Sequence, residues 1–174
     1  MKIAFAGTGY INKVHAQAAQ NLGLELAAVV NHKADSMIEF GKRFGITHQY
    51  ETVEALLKAG GVDALVVSTP NYLHAPQTIA ALNAGVHVMV EKPMAMNAAE
   101  AVQMCEAAEK SGATLMVAHC WRFDPDVLWL KEQSKKLGRI IRTKGIGVHR
   151  HWGPSGWFTQ KEFAGGGAMA DMGI

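Results

Sequence analysis

Residues 2–19, KIAFAGTGYINKVHAQAA, decide the fold. An apolar run over 2–6 breaks at Gly7-Thr8-Gly9, and a helical pattern follows. Strand, glycine turn and helix in that order hold a nucleotide diphosphate. The first glycine permits a tight turn and the second lets the backbone approach the phosphates. The free N–H groups at the positive end of the helix then face the anion. Asn12 stands where this fingerprint has its third glycine, and is expected to loosen the approach of helix to strand without abolishing binding.

The alternation continues outward from that stretch. The spacing predicts a helix over 11–22 with Ile11, Val14, Ala18 and Leu22 on one face, then a strand over 26–30. A helix over 36–44 is expected to be capped by Asp35 or Ser36, and 47–50 reads as a short strand. Thr52 caps a helix to about Lys58. A strand over 64–68 ends in Thr69-Pro70-Asn71, and a helix over 74–84 closes at Gly85. A strand over 86–90 ends in Glu91-Lys92-Pro93. Asn97 with Glu100 forms a capping box for a helix to Lys110, and 115–118 is a sixth strand. Apolar strands separated by amphipathic helices indicate an α/β protein: a doubly wound parallel sheet covered on both faces. Ligands of such sheets bind outside the C-terminal ends of the strands. Gly7–Gly9, Asn31, Ser68–Asn71 and Glu91–Pro93 all fall there.

The pattern changes after Ala118. Asp124-Pro125 starts a helix to about Lys136, residues 140–150 alternate loosely like a strand, and aromatic residues follow among glycines. We divide the chain into a Rossmann dinucleotide-binding domain, 1–119, and the incomplete start of an α+β substrate domain, 120–174.

Of the 174 residues, 49% are hydrophobic and 18% charged, which excludes a disordered chain. The net charge of +2 is too small to indicate a nucleic-acid partner. Cys105 and Cys120 sit in no metal-ligand spacing, and no metal is expected. No segment approaches the roughly 20 apolar residues of a membrane span. The expectation is a cytoplasmic protein.

Several residues at the strand ends carry chemistry. Asn31 lies about 20 residues past the glycine turn, where an acid usually binds the ribose 2′-hydroxyl. An amide does not repel a 2′-phosphate, and His32 and Lys33 attract one, which tilts the expectation toward NADP over NAD. The hydroxyls of Ser68 and Thr69 suit a nicotinamide ribose, while Asn71 could equally cap a turn. His74 is expected to face the same crevice. Glu91-Lys92-Pro93 is the sharpest signal, an acid and a base ending an apolar strand beside a rigid proline. Lys92 beside a nicotinamide can donate a hydrogen bond to a substrate oxygen or join in proton transfer, and Glu91 can orient Lys92 or bind a ribose. Arg122 could reach the cofactor or the Glu91 region. Trp121 could line the pocket or plug the domain junction. His149, Arg150, His151, Trp152 and Trp157 suit a polyhydroxylated ligand or a subunit contact. The glycines at 165–167 allow close backbone approach or a flexible loop.

These segments together resemble the glucose–fructose oxidoreductase, inositol dehydrogenase and rhizopine-catabolism family of NAD(P)-dependent oxidoreductases. A-G-T-G-Y-I-N-K-V-H looks like the family's glycine start, S-T-P-N-Y-L-H like its fourth-strand segment, and E-K-P is its hallmark. W-R-F at 121–123 sits where the family has an Arg-Phe element. G-G-G-A-M-A-D-M-G-I resembles the start of a motif that continues, in the family, with a proton-transfer histidine.

The resemblance implies that Gly7, Thr8, Gly9, Tyr10 and Ile11 hold a pyrophosphate and that Asn31, His32 and Lys33 read the adenosine ribose. It further implies that Ser68, Thr69, Pro70, Asn71 and His74 border the nicotinamide ribose, with Glu91 and Arg122 nearby. Lys92 would hydrogen-bond the reacting oxygen, and Asp171 would support the histidine. The substrate implied is a secondary alcohol or ketone of a sugar, inositol or related polyol, and the intact form is expected to be a homo-oligomer. The chain looks like the N-terminal part of a longer enzyme, with little catalysis of its own. The rival expectation is a non-catalytic dinucleotide-binding module or a subunit completed by a partner chain. A reductase-like relative acting on a flat aromatic substrate is a further alternative.

Overall fold

The structure, a computed structural model, describes residues 1–146 and 156–166. Six parallel strands form one sheet in the order β3-β2-β1-β4-β5-β6. They are β1 (Lys2–Ala6), β2 (Glu25–Val30), β3 (His48–Tyr50), β4 (Ala64–Val67), β5 (His87–Val90) and β6 (Leu115–Val117). The crossovers between them are α1 (Tyr10–Asn21), α2 (Ala34–Phe44), α3 (Val53–Ala59), α4 (His74–Asn83) and α5 (Ala98–Ser111). The strand order reverses between β1 and β4, so a crevice opens at their C-terminal ends.

Both faces of the sheet are buried, as strands alternating along their pleat require. Ile3, Phe5, Val29 and Val66 pack on one face with Phe40 and Phe44 of α2 and Ala16 and Ala19 of α1. Ala4, Ala6, Val30, Leu65, Val67, Val88 and Val90 pack on the other with Leu56, Leu82 and Met104. The expected caps at Thr52 and Asn97 form, each side-chain oxygen accepting a backbone N–H three residues on. Glu100 completes its box by accepting from Asn97 Nδ2 and from Met96 N.

Three expectations change. The face of α1 on the sheet is Asn12, Ala16 and Ala19, whereas Val14 and Leu22 are exposed. A helix that approaches a strand through a glycine turn needs small residues at the contact, so its larger apolar residues turn outward. Helix α2 begins at Ala34 after Lys33, which makes no side-chain cap, and Asp35 sits in the first turn. There its carboxylate complements the helix dipole instead of capping. Residues 140–146 form no strand, and the rest of that expected segment lies outside the described residues. A strand needs a neighbour for its row of N–H and C=O groups, and residues 140–146 pair with none of the six described strands.

Beyond β6, a 3-10 turn (Cys120–Phe123) leads into α6 (Pro125–Ser134). Asp124 caps that helix through bonds from Asp126 N and Val127 N, with Pro125 in the first turn. None of its residues is buried. A 3-10 turn (Gly156–Thr159) precedes α7 (Lys161–Ala164), which packs on the turn after β4 through Phe163 against Tyr72 and Ala164 O accepting from Asn71 Nδ2. No described helix is long and apolar enough to cross a membrane.

Candidate functional site

The loops after β1, β2, β4 and β5 are bonded to one another. Gly7 takes a φ of +93°, and a Cβ there would stand 2.8 Å from Ser68 O. Only glycine satisfies both the conformation and the approach. Asn31 Nδ2 donates to Thr8 Oγ1 at 2.6 Å, tying the end of β2 to the glycine turn. His74, at the start of α4, lies between Thr69 O and Pro93 O, 2.8 Å from each. His15 Nε2 meets Glu91 Oε1 at 2.8 Å, joining α1 to the end of β5.

Asn12 does the opposite of what its place in the fingerprint suggests. It is fully buried, and its Nδ2 donates to Ala6 O at 2.9 Å and to Gly7 O at 2.8 Å. The side chain stitches helix to strand end, where a glycine would merely allow contact.

The residues present fit an anionic dinucleotide on three observations. A Cβ at Gly9 would meet nothing within 4 Å, so the space a ligand's phosphate needs is open. The N-terminus of α1, like that of α4, has neither a side-chain cap nor an acid in its first turn, whereas α2, α3, α5 and α6 each carry one. Its N–H groups therefore remain available. Ser68 Oγ, at the end of β4, is buried without a hydrogen-bond partner among the described residues.

Other expected residues fall differently. Tyr10 and Ile11 open α1 with exposed side chains, and His32 and Lys33 are exposed after β2. Thr69 Oγ1 donates to Gln77 Oε1 at 2.7 Å. Pro70 precedes a 3-10 turn, Asn71–Leu73. Asn71 neither caps nor faces solvent: it is buried, and its Nδ2 donates to Ala164 O at 2.9 Å. His74 does not open onto the crevice, being 1% exposed with both ring nitrogens against carbonyls. Burial holds its pKa below the ordinary histidine value, against the opposing pull of the two carbonyls and of Glu91.

Glu91 spends its oxygens within the protein, Oε1 on His15 and Oε2 on the backbone N–H of Lys92 at 3.2 Å. These two bonds tie the end of β5 to α1 and to the backbone of Lys92. Lys92 is half-buried at the end of β5. Arg122 is exposed and makes no side-chain bond among the described residues, and Trp121 beside it is 64% exposed. Trp157 stacks on Phe158 with centroids 3.9 Å apart. His149, Arg150, His151, Trp152 and Asp171 lie outside the described residues. No group of three or more His, Cys, Asp or Glu able to hold a metal occurs among the described residues.

Sequence reasoning gave His15 and Gln77 no role, and gave Asn12 a role other than the one its bonds show. His15, Asn12 and Gln77 all bond side chains or carbonyls at the crevice. The signals were their place one or two turns into helices that start at the crevice edge and, for His15, its position as the histidine that ends the glycine-start segment.

The fold defines a Rossmann-type nucleotide-binding protein. A family model described as an oxidoreductase family with an NAD-binding Rossmann fold matches residues 1–119, and the chain belongs to that family, GFO_IDH_MocA. It is similar to D-glucoside 3-dehydrogenase of Escherichia coli, 36% identical over 100% of this chain and 51% of that protein. It is also similar to an NADP(+) scyllo-inositol 2-dehydrogenase of Bacillus subtilis, 30% identical over 82% of this chain and 44% of that protein. Among solved structures, GenD2 from gentamicin A biosynthesis, in complex with NAD, aligns over 99% of this chain and 50% of its own, with a TM-score of 0.84 and 27% identity. The WlbA dehydrogenase of Bordetella pertussis, in complex with NADH and UDP-GlcNAcA, aligns over 81% of this chain and 43% of its own, with a TM-score of 0.74 and 29% identity. The chain spans about half the length of the curated relatives it matches.

Proposed function

We infer that this chain is the coenzyme-binding part of an oxidoreductase that moves hydride between NAD(P) and a secondary alcohol or ketone of a sugar, inositol or related polyol. The observation that carries the inference is the bonded ring of loops at one sheet edge, with an open space at Gly9 and Lys92 at the end of β5. Residues 1–119 are the coenzyme domain, and residues 120–174 begin the substrate domain.

Gly7, Thr8, Gly9, Tyr10 and Ile11 receive the pyrophosphate at the N-terminus of α1. Asn31, His32 and Lys33 read the adenosine ribose, and Ser68 and Thr69 border the nicotinamide ribose. The nicotinamide, when bound, supplies or accepts the hydride. The chain's own residues do the rest. Lys92 donates a hydrogen bond to the reacting oxygen, favouring the charge that develops there. His15 and Glu91 hold the turn that presents Lys92. The choice of a sugar or cyclitol substrate is supported by the names of the relatives, which act on a D-glucoside and on scyllo-inositol.

The preference for NADP is supported by the amide at position 31, the cation of Lys33 and the NADP(+) specificity in the name of the B. subtilis relative. Calorimetric titration of the chain with NADPH and NADH tests both levels. Heat with at least one coenzyme, larger affinity for NADPH, is the expected result. Binding of neither ends the inference, and tighter NADH ends the NADP part alone.

A further inference from the structure

His74 joins the two turns between which a nicotinamide would sit. Its Nδ1 is 2.8 Å from Pro93 O and its Nε2 is 2.8 Å from Thr69 O, while the ring itself is 1% exposed. Thr69 belongs to the turn after β4. Pro93 follows Lys92 directly in the turn after β5.

We propose that His74 is a positioning residue for Lys92, fixing the Glu91-Lys92-Pro93 turn against the Ser68–Asn71 turn through the Pro93 carbonyl. The proposal rests on the role assigned above to Lys92. A proline has no N–H of its own to anchor a turn, so its carbonyl is the backbone handle nearest to Lys92 on the far side from Glu91. Glu91 holds the near side, accepting from Lys92 N at 3.2 Å. The lysine is thereby gripped through the backbone at both flanks.

Both neighbours of the ring are carbonyls, which only accept. A neutral imidazole has one N–H and donates to one of them at a time. Burial disfavours the doubly protonated ring, while Glu91 is the charged group whose field supports it. The Nδ1–H tautomer is the one that holds Pro93 and hence Lys92. The other tautomer would hold Thr69 and leave the lysine turn without that bond.

Three substitutions separate these bonds. His74→Asn keeps an amide N–H near the place of Nδ1, His74→Gln keeps one near Nε2, and His74→Leu keeps neither. The readout is the Lys92 signal in reductively ¹³C-methylated protein, assigned by its loss in Lys92→Arg, with coenzyme affinity measured alongside. We expect His74→Leu and His74→Gln to move the Lys92 signal, and His74→Asn to restore it. Affinity for NADPH should change less than about threefold throughout, since the ring is 1% exposed and both its nitrogens face backbone carbonyls. A Lys92 signal identical in every variant overturns the proposal, as does restoration by His74→Gln and not by His74→Asn. Should His74→Leu fail to fold, the Asn and Gln variants still decide. Wild-type chain that binds neither coenzyme defeats the proposed function, while the Lys92 signal continues to read the positioning independently.

Discussion

His15 Nε2 and Glu91 Oε1 stand 2.8 Å apart, although 76 residues separate them in the chain. The two side chains are 20% and 13% exposed, so their contact is largely shielded from water. It connects the helix whose N-terminus faces the open phosphate space with the turn that carries Lys92. Removing the carboxylate in Glu91→Ala leaves His15 without its acceptor and should cost about 1–3 kcal/mol in denaturant unfolding. The double variant with His15→Ala should cost less than the sum of the two single changes, because they share one interaction. Strictly additive losses would show that the pair is not coupled.

Gly7 and Gly9 should separate stability from binding. Gly7→Ala places a Cβ at 2.8 Å from Ser68 O in a conformation of positive φ, and is expected to destabilise by about 1–3 kcal/mol. Gly9 has a φ of −68° and open space before it, so Gly9→Ala should stay within about 0.5 kcal/mol of wild type in stability. Its coenzyme affinity should nevertheless fall, since the added methyl enters the volume a phosphate takes. Thermal melts and calorimetry on both variants check this. Undiminished affinity in Gly9→Ala would remove that space from the site.

Asn12→Gly restores the fingerprint's third glycine and should still destabilise the protein. Ala6 O keeps a bond from Ser68 N, but Gly7 O loses the only donor that the hydrogen bonds of the described residues give it. An unsatisfied buried carbonyl and a helix glycine together cost about 1–3 kcal/mol. A variant more stable than wild type would contradict the stitching role.

His74 gives the pH dependence a definite sign. Its folded pKa lies below the ordinary value of 6.5 because of burial, so the unfolded chain binds the proton more readily. Its contribution to stability is present above pH 6.5 and is lost as pH falls through the lowered folded pKa. Between neutral and acid pH, His74→Gln should therefore lose less stability than wild type. Parallel melting curves against pH for the two proteins would contradict this assignment.

Asn31→Asp should reverse the coenzyme preference. A carboxylate at the end of β2 repels a 2′-phosphate and suits a free diol, so NADPH affinity should drop by about tenfold or more while NADH affinity holds or rises. Thr8 can donate its hydroxyl to the new carboxylate, so the clasp between positions 8 and 31 survives. Unchanged selectivity would take position 31 out of ribose recognition.

The elements of the sheet domain were legible because strand and helix periods differ and because glycine, proline and capping residues punctuate them. The boundaries of β1, the caps at Thr52 and Asn97, and the Asp124-Pro125 start all follow from local chemistry. The wrong face of α1 shows where that legibility stops. Ile11, Val14 and Leu22 satisfy a helical apolar stripe as well as any core face does, and only the closeness of the glycine turn to the strand makes Asn12, Ala16 and Ala19 the inner side.

The same limit separates what each level decides for the site. Local sequence alone determines that glycines follow β1, that Asn31 follows β2 and that Glu91-Lys92-Pro93 follows β5, because parallel crossovers send every such turn to one edge. Which of those side chains remain available to a ligand is a matter of tertiary structure. Glu91 is drawn to His15, Asn71 to Ala164 and His74 to two carbonyls, by bonds between residues that the chain keeps far apart. A buried polar atom must find a partner wherever the fold brings one within reach, and nothing in the order of the residues states where that will be.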